Sequence, residues 1–181
     1  MKLYHGSNVK DINKLNPVLS NHGKPLVYLT DNYTLAILYA HNPIKRPGGF
    51  FTYRFDSNGK LHYDEYFENQ LEKMYSGVSG YVYTIDANLE DYVKLDKMYW
   101  VYTTENNVET NAVEYIEDIY LKILECENQG DIVINRYCNM DEKTKQKWKD
   151  IVIKDIENKD LKNYPDSSYA QFLHTHFPDL I

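Results

Sequence analysis

Residues 2–7, KLYHGS, and residues 27–40, VYLTDNYTLAILYA, decide how this chain is read. KLYHGS is a short apolar strand pattern that delivers His5 straight into a Gly-Ser turn. VYLTD is a second strand pattern and carries Tyr28. DNYTLAILYAHN then opens with an aspartate able to cap free N–H groups and clusters Leu35, Leu38 and Tyr39 at helical spacing. Tyr39 follows Tyr28 by eleven residues, so a strand, a capped turn and a returning helix bring both tyrosines near one spot. Two aromatic faces, a histidine and a glycine backbone edge suit a planar, amide-bearing ligand.

Outward from these stretches, β-branched and aromatic enrichment predicts strands at KLYHG, PLVYLT, GFFTYRFD (49–56), GYVYTID (80–86), MYWVYTT (98–104) and AVEYI (112–116). Near-helical spacing of Tyr63, Tyr66, Phe67, Leu71 and Met74 predicts a helix over 63–77 that stops at Gly77. Further helices are read at 117–130, closed by Gly130, at 141–158 and at 167–177. Strands that do not alternate regularly with crossover helices give an α+β class. The expected organisation is a mostly β domain over 1–125 and a mainly helical extension over 126–181 packed on it as one structural domain.

With 181 residues and a net charge of −7, the chain suits one domain with a proper core and disfavours indiscriminate nucleic-acid binding, which is mostly phosphate neutralisation by Lys and Arg. No apolar run approaches a membrane span, and the first residues lack the apolar core of a signal peptide. Cys126 and Cys138 make no disulfide scaffold, so a reducing cytoplasm is the expected setting. Eighteen tyrosines offer flat faces with polar tips, but a Tyr-, Asn- and Lys-rich, Ala-poor composition is also that of an AT-rich genome.

Together LYHGS and VYLTDNYTLAILYA resemble the ADP-ribosyltransferase superfamily, in the His-Tyr-Glu branch shared by diphtheria-like toxins and poly(ADP-ribose) polymerases. There a strand ends in His-Gly-Ser or His-Gly-Thr, a second strand carries a tyrosine, and the next helix carries a small residue and another tyrosine. Tyr28, Ala36 and Tyr39 match those positions, within the first forty residues only. Leu26-Val27 replaces the glycine usual before the strand tyrosine, and the connection from His5 to Tyr28 is short. The resemblance implies a split, twisted β core with flanking and C-terminal helices. It implies that His5 holds a ribose hydroxyl of NAD, that Gly6 offers its backbone to the nicotinamide amide with support from Ser7, and that Tyr28 and Tyr39 sandwich the nicotinamide ring. Gly6 would lack a side chain so that the ligand can approach.

The family's reaction leaves an oxocarbenium-like ribose, which a carboxylate stabilises electrostatically while polarising the acceptor; no metal is needed. Two placements of that acid compete. By local string, VEYIEDI (113–119) resembles the family's acid strand and puts the role on Glu114. By strand order MYWVYTT is the equivalent strand, the acid's place falls at Met98, and the nearest acids are Glu105 and Asp96. AVEYIEDIYLKIL also fits helical spacing, with Glu114 on a solvated face.

Other patterns carry less. His174-Thr175-His176 lacks partner ligands at metal spacing and reads as a surface pair, both cysteines read as structural, and KRPGG (45–49) reads as a turn. Asp64-Glu65 and Glu117-Asp118 are neighbours in sequence only, and no phosphate-loop or dinucleotide-fold glycine signature is present. The expectation is a bacterial or phage, toxin-like mono-ADP-ribosyltransferase that uses NAD as substrate. Its acceptor would be a macromolecule, protein before nucleic acid, or water, and an antitoxin or immunity protein is a possible partner. The alternative is a catalytically inactive NAD-binding or protein-interaction module of the same fold.

Overall fold

The structure is a computed structural model that describes residues 1–19, 23–41, 52–95 and 98–181, with Tyr99 described by its backbone alone. In chain order the described strands are β1 (Lys2–Ser7), β2 (Lys14–Leu15), β3 (Val18–Leu19), β4 (Pro25–Thr30), β5 (Tyr53–Phe55), β6 (Leu61–Asp64), β7 (Gly80–Asp86), β8 (Val93–Leu95), β9 (Met98–Thr104), β10 (Val108–Glu109), β11 (Ala112–Ile116) and β12 (Ile132–Asn135). The helices are α1 (Tyr33–Tyr39), α2 (Gln70–Tyr75), α3 (Ile119–Gln129), α4 (Glu142–Asn158) and α5 (Ser168–His176). The class is α+β, and no helix among the described residues is long and apolar enough to cross a membrane.

The chain divides into two compact units, Met1–Asn42 with Tyr75–Cys126 and Pro43–Met74 with Glu127–Ile181. In the first, the strand order is β11-β7-β1-β4-β9-β8, with every neighbouring pair antiparallel. Alternation along the strands sends Leu3, Val27, Leu29, Tyr83, Ile85 and Tyr102 to one face, where Leu15 and Val108 of the β2–β10 pair close the core. The other face carries α1. Asn32, one residue past the expected Asp31, is its N-cap and accepts the Leu35 N–H at 2.8 Å. Tyr75 donates to the Leu38 carbonyl at 3.1 Å and so holds the helix's far end.

Helix α1 lies unusually close to the sheet. A Cβ placed on Gly6 would fall 1.9 Å from the Ala36 carbonyl oxygen, and one on Gly80 would fall 1.8 Å from that of Ala40. Both glycines lie on one face of neighbouring strands, since Gly6 stands opposite Val82, two residues from Gly80. The helix backbone that runs across Gly6 therefore requires a bare residue there, a packing reason separate from the one inferred from sequence.

In the second unit β6 is central, antiparallel to β5 and parallel to β12. The expected helix over 63–77 is reduced to α2, because Leu61 and Tyr63 alternate into the core as strand residues and Asn69 takes a left-handed φ of 56°. The buried Glu65 carboxylate then accepts the N–H groups of Leu71 and Tyr137 at 2.9 and 3.0 Å. Residues 127–181 are mainly helical, with α4 and α5, and their strand β12 pairs with β6, so the unit that contains them also takes in residues 43–74. Trp148, Val152 and Ile156 of α4 are buried, as are Tyr169, Phe172 and Leu173 of α5, at the helices read from sequence.

Gly80→Ala and Gly6→Ala are each expected to lower the unfolding free energy by about 1–3 kcal/mol through overpacking. The double variant should lose less than the sum, because a helix displaced by one Cβ no longer meets the other. Urea unfolding of the four proteins measures both effects.

Candidate functional site

The site lies where the sheet of the first unit comes apart. β1 follows β7 through six consecutive pairs, from Lys2 opposite Asp86 to Ser7 opposite Tyr81. β4 follows β9 from Val27 opposite Thr104 to Thr30 opposite Val101. Between them β1 and β4 share a single pair, Tyr4 with Thr30, so His5–Ser7 and Leu26–Leu29 diverge. Such a split strands backbone groups that a continuous ladder would satisfy, and leaving a buried carbonyl unpaired costs about 1–3 kcal/mol. His5 meets that need: its Nδ1 lies 3.0 Å from the Tyr28 carbonyl oxygen.

This contact sets the state of the imidazole. A carbonyl can only accept, so Nδ1 carries the proton and, in the neutral ring, Nε2 keeps its lone pair. Burial holds the His5 pKa below the ordinary value of 6.5, with the bond to Tyr28 opposing it more weakly. At neutral pH His5 is thus an uncharged, oriented ring with one acceptor nitrogen.

Beside it is a cavity of about 220 Å³. His5 and Gly6 of β1, Tyr28 of β4, and Ala36 and Tyr39 of α1 all line it. The sequence argument assigned these five residues to one site, and the split sheet and the helix above it bring them together. The wall also includes Tyr4, Thr30, Leu95, Met98 and Val101, which sequence reasoning did not assign to binding. Tyr4 was legible in principle, because it alternates with Gly6 along β1. At this volume the cavity takes one ring with its substituent, while the rest of a dinucleotide would lie outside.

The remaining candidates lie elsewhere. Ser7 accepts the Val9 N–H at 3.1 Å and does not line the cavity. Glu114 is a strand residue on β11, not a helix-face residue; it accepts the Tyr33 hydroxyl at 2.7 Å and lies 3.7 Å from the Lys122 ammonium. Glu105 follows β9 and pairs with Lys24 in an exposed contact, a kind worth at most about 1 kcal/mol. Asp96 and the KRPGG segment lie outside the described residues. No carboxylate lines the cavity among the described residues, whereas Met98, the acid's place by strand order, does. His176 stacks on Phe67 at 4.3 Å in the second unit, and no described group of three or more His, Cys, Asp or Glu side chains is placed to hold a metal ion.

A histidine whose folded-state pKa is depressed contributes stability above its unfolded value, and that contribution is lost as pH falls through the folded value. Burial depresses both His5 and His176, so unfolding free energy should fall as pH drops below about 6.5, less steeply in His5→Gln than in the parent protein. An NMR titration midpoint for His5 at or above 6.5 would contradict the assignment of a neutral, buried ring. Compared with protein-family models, with curated proteins and with solved structures, the chain matches none.

Proposed function

We propose that the cavity binds the nicotinamide end of NAD and that the chain is a mono-ADP-ribosyltransferase-like protein. The observation that carries this is the convergence of His5, Gly6, Tyr28, Ala36 and Tyr39 on one cavity at the divergence of β1 and β4. The local chemistry supports it. Tyr28 and Tyr39 supply aromatic walls from two different elements, and a ring face attracts a cation such as the pyridinium of NAD. The neutral His5 presents Nε2 as an acceptor for a ribose hydroxyl. No Lys or Arg lines the cavity among the described residues, so a carboxylate on the bound ring would be buried without compensation and an uncharged carboxamide is favoured.

In the transfer reaction the bond from nicotinamide to ribose breaks, nicotinamide leaves with the bonding electrons, and an acceptor oxygen or nitrogen attacks the ribose carbon and loses a proton. With a net charge of −7 the acceptor is a protein before a nucleic acid, or water. A second reading, NAD binding without transfer, is favoured by one observation. Met98 occupies the cavity wall at the acid's place, and no described carboxylate lines that wall.

Nicotinamide and NAD are expected to raise the melting temperature, and nicotinic acid is not. Tyr28→Ala and Tyr39→Ala should each weaken nicotinamide about tenfold or more, as expected when an aromatic face about a buried ring is removed. Measurement of nicotinamide released from NAD then separates the two readings. Release that is lost in His5→Ala and in one of Glu114→Gln, Glu105→Gln or Asp96→Asn supports the transferase, whereas saturable binding with no release supports the binding module. Absence of any shift with NAD or nicotinamide would refute both.

A further inference from the structure

Tyr4 sits at the one point where β1 and β4 still pair, opposite Thr30. Alternation along β1 turns Leu3 into the opposite core and Tyr4, with Gly6, toward the face that carries α1, where both line the cavity. The Tyr4 hydroxyl has no hydrogen-bond partner among the described residues. A half-buried phenol ordinarily finds one, and because Tyr4 lines the cavity a ligand there can supply it.

The ring of Tyr4 is held from outside the cavity. Tyr33, the first residue of α1, meets it edge to face, with centroids 5.5 Å apart and an interplanar angle of 76°. The Tyr33 hydroxyl donates to Glu114 Oε2 at 2.7 Å, and the Lys122 ammonium lies 3.7 Å from the other carboxylate oxygen and 6.0 Å from the Tyr33 ring centroid. Burial and the Glu114 carboxylate push the Tyr33 pKa far above its usual value, so this hydroxyl stays a donor at any physiological pH. Three side chains thus run from the cavity wall to the outer strand: Tyr4 on β1, Tyr33 on α1 and Glu114 on β11.

We propose that Tyr4 hydrogen-bonds the polar substituent of the ring bound in the cavity, and that Tyr33 and Glu114 are positioning residues that hold the Tyr4 ring for that contact. The inference rests on the cavity being a nicotinamide site. A carboxamide suits it, since its oxygen accepts from the phenol and its nitrogen donates to it. Glu114 acts through Tyr33, so what the position needs is a hydrogen-bond acceptor rather than a negative charge. This differs from the role of a catalytic acid, which would need the charge itself.

Calorimetric titration of nicotinamide, together with nicotinamide release from NAD, tests this in the full chain and in Tyr4→Phe, Tyr33→Phe, Glu114→Gln and Glu114→Leu. Tyr4→Phe should bind about three- to tenfold more weakly, with the melting temperature of the free protein unchanged. Tyr33→Phe and Glu114→Leu should weaken binding about twofold each, and together no more than either alone, because both release the same ring. Glu114→Gln, whose side-chain carbonyl still accepts from Tyr33, should bind like the parent. Parent-like binding by Tyr4→Phe would overturn the proposal while leaving the nicotinamide site intact. Loss of release in Glu114→Gln with binding preserved would overturn the positioning role and make Glu114 the acid. Failure of the parent protein to bind nicotinamide or NAD would remove the site itself, and this proposal with it.

Discussion

The close seat of α1 on Gly6 and Gly80 is the constraint from which the rest of the site follows. With backbone carbonyls of the helix under 2 Å from where two Cβ atoms would stand, α1 cannot slide or tilt without meeting the sheet. That fixes Ala36 and Tyr39 above β1 and leaves the opening between β1 and β4 roofed on one side only. A side chain at either glycine would push the helix backbone off the sheet and so move one wall of the cavity. Helix α1 is held at its start by the Asn32 cap and near its end by the Tyr75 hydroxyl on the Leu38 carbonyl. A helix pressed against a sheet has little room to fray.

A split sheet has an energetic cost, and His5 offsets part of it. The net worth of one hydrogen bond is about 1 kcal/mol, which is comparable to the penalty for the carbonyl it satisfies. His5 is therefore a structural element of the split before any ligand arrives. This dual role sets its chemistry, because a ring that must donate from Nδ1 to Tyr28 and that burial keeps neutral has one free function left, an acceptor at Nε2. The other polar groups on the wall are uncharged as well. The site is thus built for recognition by fit, stacking and neutral hydrogen bonds, with no fixed charge aimed into it by the described residues.

What was legible in the sequence was local. Tyr28 and Tyr39 lie on consecutive elements, β4 and α1, joined by a tight cap, so spacing alone placed them together, whereas His5 on β1 and Ala36 were assigned through the family resemblance. The helix expected over 63–77 failed because Leu61 and Tyr63 satisfy period two as well as the stretch satisfies helical spacing, and only the pairing of β6 with β5 and β12 decides between them. The packing reason for Gly6 was not legible, since the backbone that crosses it comes from thirty residues further along the chain. Tyr4 shares a face with Gly6 by alternation, but nothing in KLYHGS says whether that face meets a core or a cavity. That distinction depends on where β1 parts from β4, which is a property of the assembled sheet.

Sheet order also bears on the acid, which the sequence left open. β11 is separated from β1 by β7, and at about 4.8 Å per strand its residues stand roughly 10 Å to the side of His5. Glu114 spans part of that gap only through Tyr33, whose ring occupies the space between the carboxylate and the cavity wall. β9, by contrast, is the direct neighbour of β4 and contributes Met98 and Val101 to the wall itself. Under the proposed function, a side chain touching the ribose would come more readily from β9 than from β11. On β9 the residue on the cavity wall is Met98, which would offer a positive sugar polarisability but no charge. Under the proposed function the fold separates two tasks: the ring would be recognised where β1, β4 and α1 meet, and electrostatic assistance to bond cleavage would come most directly from the β8–β9 side.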